Sequence, residues 1–157
     1  PSSALPDGSK VHVAIGANPV RARFLAQAEQ VGGAILSVIH PDASLSGNAR
    51  IGQGTLLAAR AVIAACAEIG RGVIVNHGAI VDHDCVVGDH AHIAPGAVLG
   101  GGVRVGRMAL VGANATILPG LEVGESAVIG AGAVVTKSVA AGSVWIGSAA
   151  VSKEHGS

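Results

Sequence analysis

Val75-Asn-His-Gly-Ala-Ile-Val-Asp-His-Asp-Cys-Val-Val-Gly-Asp-His-Ala-His-Ile93 is the stretch that decides the fold. An aliphatic residue returns in it every six positions: Val75, Val81, Val87 and Ile93. The same step taken from Ile39 to Val135 meets 17 positions, and each is Ile, Leu or Val. Four residues after each aliphatic sits a mostly small residue, such as Ala79, Cys85, Ala91 and Ala97. One residue after it Gly is frequent, as at Gly52, Gly70, Gly88, Gly106 and Gly124.

A period of six is neither the 3.6 of a helix nor the 2 of a plain strand. It predicts a short strand and a turn. The aliphatic points inward, the small residue follows it, and Gly relieves the corner. Three units then close a triangular coil of 18 residues, and coils stack at the strand spacing of about 4.8 Å. Seventeen units predict between five and six coils.

The composition agrees with a narrow interior. Half of the 157 residues are hydrophobic, yet the aromatics are only Phe24 and Trp145, neither within the hexads. A ring would not fit such a prism. The formal net charge is zero, and two aromatics offer no stacking platform, which argues against nucleic-acid binding. No uncharged stretch approaches the ~20 apolar residues of a membrane helix. No export signal is visible and two cysteines make no disulfide framework, so a reducing cytoplasm is expected.

Before the repeat, residues 11–16 read as a buried strand. Asn18 is expected to cap a helix with Pro19 in its first turn. Val20, Phe24, Leu25, Ala28 and Val31 continue at helical spacing until Gly32-Gly33. Residues 34–39 read as a second strand. The whole is a partial βαβ unit, Rossmann-like, too small to stand alone. An upstream part of that domain is therefore expected to be missing. The predicted organisation is 1–38 for this unit, 39–141 for the prism and 142–157 for a tail.

His77, His83, His90 and His92 cluster in the sequence, with Asp82 and Asp84 beside His83. His77 and His83 hold the third hexad position, an outward turn tip. A carboxylate beside an imidazole fixes its tautomer and raises its basicity, as a general base requires. Three alternatives remain open at this point. The histidines could be solvated, could lie in a subunit interface, or could hold zinc, although the spacing is not an established zinc pattern. Cys85 takes a core position. The Gly-x-Gly pieces belong to the hexad rhythm and are not dinucleotide fingerprints.

Val81-Asp-His-Asp-Cys-Val-Val-Gly-Asp-His-Ala-His-Ile-Ala-Pro-Gly96 resembles the sugar O- and N-acyltransferases of the hexapeptide-repeat family. These are the relatives of sialic acid O-acetyltransferase and of the bacillosamine-pathway acetyltransferase. Gly100–Gly106, Val111–Gly120 and Ile129–Lys137 follow the same pattern. The resemblance implies a left-handed parallel β-helix, where the usual crossover preference would suggest the opposite hand. It implies a homotrimer with its site between prisms, and acetyl-CoA as acetyl donor without a metal. It implies N-acetylation of a nucleotide-linked 4-amino sugar. The runners-up are O-acetylation of a sialic-acid-type sugar and a trimeric zinc enzyme of the gamma carbonic anhydrase type. By the same resemblance His83 is the catalytic base and Asp84 its orienting acid. His92 contacts acetyl-CoA, while Gly101, Ala113 and Ala131 line the cofactor channel. Gly16 and Asn18 match the later part of the nucleotide-sugar site, whose Gly-rich turn is absent. Gly147-Ser-Ala-Ala150 departs from the family's Gly-x-Pro-Ala.

Overall fold

The computed structural model describes residues 5, 6 and 8–147. Twenty two-residue strands and one helix make up its regular elements. Strand β1 (Lys10–Val11) leads through helix α1 (Asn18–Gln30) to β2 (Ala34–Ile35), which pairs with β1 in parallel. From β3 (Val38–Ile39) onward the chain winds as a solenoid whose strands fall into parallel sheets of seven, six and five. Val98 pairs with Ile80 below and Thr116 above, 18 residues away on either side. The predicted coil length is therefore the observed one. The last coil is two residues shorter, with Val128 paired to Val144 and Val123 bridged to Val139.

The interior is the predicted stack. Ile63, Val81, Ile93, Leu99, Ile117 and Ile129 are buried, with Ala79, Ala91, Ala97 and Ala115 between them. Each rung sits over an identical kind of rung 18 residues on, so every coil buries its neighbour's apolar surface. Trp145, expected beyond the prism, instead pairs with Ile129 and packs against the core as a lid on the last coil.

The hexad glycines do something other than expected. The left-handed corner lies three residues after the aliphatic, at Gly78, Gly96 and Gly102, and equally at Asp84, His90 and Asn114. The glycines one residue after the aliphatic serve close approach. A Cβ on Gly88 would meet the Arg107 backbone nitrogen at 2.6 Å, one coil away. Gly88→Ala is thus expected to cost about 1–3 kcal/mol, the range of an overpacked site. Gly78→Asn has open space and a tolerated conformation, so it should leave the urea midpoint nearly unchanged.

The turns stack as well, forming three edges. His77, Pro95, Ala113 and Ala131 separate the seven- and six-stranded faces. His83, Gly101, Pro119 and Lys137 separate the six- and five-stranded faces. Arg71, Asp89, Arg107 and Glu125 form the third edge. The faces differ in chemistry. Outward positions on the six-stranded face are Ser44, Val62, Ile80, Val98, Thr116 and Val134, whereas the five-stranded face shows Arg50, Glu68, Arg104 and Glu122.

The segment before the prism needs four corrections. Of the expected buried strand 11–16 only Val11 is strand, within β1, and none of these residues is buried. The Rossmann-like sheet is not confirmed: β1 and β2 form a pair of two-residue strands and nothing wider. The expected strand 34–39 is split in two. The Leu36 amide donates to Val11, but that of Val38 donates to Thr55, so the chain changes partners at Ser37. Asn18 does not cap the helix. Ala17 holds that position, its carbonyl accepting from Arg21, and the Asn18 side chain reaches into the prism. The C-terminal end follows prediction. Gly32 takes a left-handed conformation, and the amides of Gly32 and Gly33 return to Glu29 and Ala28.

Helix α1 lies along the third edge, and one dimension explains why. A helix repeats every 5.4 Å or so, close to the coil spacing of about 4.8 Å. One helical turn therefore meets each coil. Asn18 bonds the carbonyls of Met108 and Ala109, Arg21 those of Gly72 and His90, and Leu25 packs beside Gly72 and Gly54.

Candidate active site

His83 stands on the turn between the six- and five-stranded faces. Its Nδ1 lies 2.8 Å from Asp84 Oδ2, and its backbone amide donates to Asp82 Oδ1 at 2.7 Å. Asp84 occupies the left-handed corner, which turns its carboxylate back toward the ring. The imidazole lies over Gly101, one coil on, where a Cβ would come within 2.6 Å of His83 Nε2. A side chain at 101 would therefore displace the ring from this position. The Asp84 hydrogen bond first, and then the Asp82 charge, hold the His83 pKa above the ordinary histidine value. The outcome is an exposed imidazole with one nitrogen anchored to a carboxylate and the other open.

His92 is on the seven-stranded face, with Nε2 3.2 Å from the Asn76 amide nitrogen. Burial first, and then the Arg21 charge, push its pKa below the ordinary value, partly opposed by a hydrogen bond to the Gly16 backbone. A groove of about 490 Å³ brings His92 together with Gly16 and Asn18, between Pro19, Met108 and Leu110. Asn18 lines this groove but offers it little. Its nitrogen bonds two carbonyls and its oxygen accepts from Arg21, so its side chain is engaged within the protein.

The predicted site residues thus fall on different parts of the prism. His83, Asp84 and Gly101 share one edge. Ala113 and Ala131 share another, at the far side of the six-stranded face. His92, Gly16 and Asn18 belong to the seven-stranded face. The four histidines adjacent in sequence are likewise spread over all three edges and one face, because six residues of chain turn the path through one corner. Among the described residues no three His, Cys, Asp or Glu side chains come close enough within one chain to hold a metal ion. A larger depression, about 950 Å³, lies elsewhere, between Val11–Ile15 and the Phe24 side of α1, and none of these residues lines it.

One functional candidate escaped the sequence reading. Arg21 is fully buried, with its guanidinium on carbonyls of two coils and of the turn before α1. The only signal was an Arg at the i+3 position from Asn18 on the helix face that also carries Leu25.

A parallel solenoid with six-residue rungs places the chain in the hexapeptide-repeat class. The bacterial transferase hexapeptide (six repeats) family matches residues 66–101 and 102–137. Among solved structures, a variant of GDP-perosamine N-acetyl transferase from Caulobacter crescentus, in complex with CoA and GDP-perosamine, is 37% identical with a TM-score of 0.87, over 88% of this chain and 66% of that one. The acetyltransferase domain of PglB from Neisseria gonorrhoeae, in complex with acetyl coenzyme A, is 38% identical with a TM-score of 0.85, over 88% and 67%. WeeI from Acinetobacter baumannii is 32% identical with a TM-score of 0.87, over 93% and 71%. Comparison with curated protein sequences found no match. The chain belongs to the hexapeptide-repeat acyltransferase family, and its solenoid is the left-handed β-helix of that family. It spans about two thirds of the length of these solved relatives.

Proposed function

We propose that the chain is an acetyl-CoA-dependent N-acetyltransferase acting on a nucleotide-linked 4-amino sugar. The observation that carries this reading is the His83–Asp84 pair, anchored at 2.8 Å over Gly101, in a chain 37% identical to a solved amino-sugar N-acetyltransferase. Asp84 holds Nδ1–H, which leaves the Nε2 lone pair as the base. The sugar amine attacks the thioester carbonyl and gives its proton to Nε2. A backbone N–H offers hydrogen bonding to the oxyanion. The intermediate collapses, the C–S bond breaks, and the imidazolium returns the proton to the CoA thiolate. The products are an acetamido sugar and free CoA. Asp84 keeps its negative charge throughout, stabilising the imidazolium.

The site is read as lying between copies in a homotrimer. His83 and Gly101 line one border of the six-stranded face, and Ala113 and Ala131 line the other. If that face turns toward a threefold axis, the first border of one prism meets the second border of the next. His92 of the neighbour then stands on the adjoining face. Two features support this orientation. The six-stranded face carries no charge at its outward strand positions, and Ile80 and Val134 are exposed in the single chain. Helix α1 occupies the opposite edge, so it stays outside such a trimer. Small side chains at 101, 113 and 131 would leave room for a pantetheine arm. The described residues contain no helix long and apolar enough to cross a membrane. Free Cys66 and Cys85 suit the reducing cytoplasm in which we place the enzyme.

The test is acetyl transfer from acetyl-CoA to GDP- and UDP-linked 4-amino sugars, followed by mass spectrometry. The expected product gains one acetyl group, which survives hydroxylamine as an amide. A hydroxylamine-labile ester would show O-acetylation instead, and no product with any amino sugar would reject the reading.

A further inference from the structure

Arg21 is the one fully buried ionised side chain among the described residues. No carboxylate pairs with it there. Its Nε donates to Gly72 O at 2.7 Å, and Nη1 to Ile15 O at 2.9 Å and Gly16 O at 3.1 Å. Nη2 donates to Asn18 Oδ1 at 2.9 Å, His90 O at 2.7 Å and Ala91 O at 3.1 Å. Burial pushes its pKa down to about 10, so it remains a cation at neutral pH. A leucine there would leave the carbonyls of Ile15, Gly16, Gly72 and His90 without this donor. One planar fork serves all of them at once and so fixes the segments that carry them relative to one another.

We propose that Arg21 is a positioning residue for the His92 groove, tying the Ile15–Gly16 turn to the coils at Gly72 and His90–Ala91 so that the His92 imidazole meets its ligand in one orientation. The fork bridges the two walls of the groove. Gly16 is on one wall and hydrogen-bonds His92 through its backbone, and Ala91 precedes His92 on the other. Arg21 also places a fixed positive charge behind the ring. Together with burial this holds His92 neutral, a hydrogen-bond partner rather than a second cation. No other charged group is found to act on His92. The neighbouring His90 instead faces Asp89, Arg21, Arg71 and Arg107, and its Nδ1 is buried without a partner.

The kinetic arm of the test rests on the reading of His92 as an acetyl-CoA contact; the spectroscopic arm does not. His92 is followed by NMR titration in the full-length chain, its signal assigned with His92→Gln. In the wild type its midpoint is expected below the ordinary histidine value of 6.5. In Arg21→Gln it moves up toward that value. A wild-type midpoint at or above 6.5, or a folded Arg21→Gln with an unmoved midpoint, overturns the proposal. A clamp with a purely structural role would lower the melting temperature and leave His92 unmoved. Arg21→Lys keeps the charge but loses the fork. Its KM for acetyl-CoA is expected to rise about tenfold, as for a lost charge-assisted hydrogen-bond set, with kcat changed less. A wild-type KM in Arg21→Lys also overturns the proposal. Absence of acetyl transfer in the wild type would instead reject the proposed function and leave the NMR result standing.

Discussion

His83→Ala is expected to lower kcat for acetyl transfer by about 10²-fold or more, the contribution of a positioned general base. The side chain is 61% exposed and packs against no core residue, so the melting temperature should not move. An inactive but unfolded variant is thereby told apart from an inactive and folded one. The pH profile supplies the sign. Only neutral imidazole can accept the proton, so kcat/KM rises as pH passes upward through the His83 pKa. Asp84 and Asp82 raise that pKa, which puts the half-rise above the ordinary histidine range. Asp84→Asn removes the charge while keeping a residue that tolerates the left-handed corner, as Asn114 does. It is expected to move the half-rise to lower pH and to lower the plateau, because the base is weaker and its ring less firmly held. An unshifted profile with full activity in Asp84→Asn would show that Asp84 does not tune the base, and full activity in His83→Ala would show that His83 is not the base.

Mixed trimers give the second large effect. His83→Ala damages one border of the six-stranded face. Ala113→Trp is designed to fill the proposed cofactor channel at the other border. Each variant alone should be nearly inactive while remaining trimeric by light scattering. If the site lies between copies, a neighbouring pair regains both intact borders whenever the two variants fall in the right order. An equal mixture assembled together should then recover about a quarter of wild-type activity, since each of the two places is filled correctly half the time. If the site lies within one chain, every chain carries a defect and the mixture stays inactive. The experiment thus reads the location of the site without a bound ligand.

Much of the fold was legible because a solenoid repeats its instructions. Each hexad restates which residue is inside, so 17 aliphatics in register left one architecture, and the pairings at 18 residues follow from three hexads per coil. The role of the hexad glycines was misread, since a close approach between coils and a left-handed corner both favour glycine and only coordinates separate them. The N-terminal segment was harder. Residues 34–39 are apolar but for Ser37, and a single serine does not by itself mark the point where the chain leaves β1 for the prism. Asn18 before Pro19 looks like a cap, but a long-range bond to Met108 wins, because two buried carbonyls there need a donor.

The His83–Asp84 contact was likewise written in adjacent residues, as was the family. What adjacency could not give was position around the prism. His83 and His92 are nine residues apart, which is one and a half hexads, so the winding that stacks the core also turns them onto different faces. Sequence by itself determined the interior, the coil length and the candidate base, since these follow from residues at fixed local spacing. Tertiary structure alone decided that the candidate residues divide between the two borders of the six-stranded face and a groove at the seven-stranded face, and that Arg21 is buried against carbonyls of three separate segments, because both depend on which turn of the solenoid lies above which.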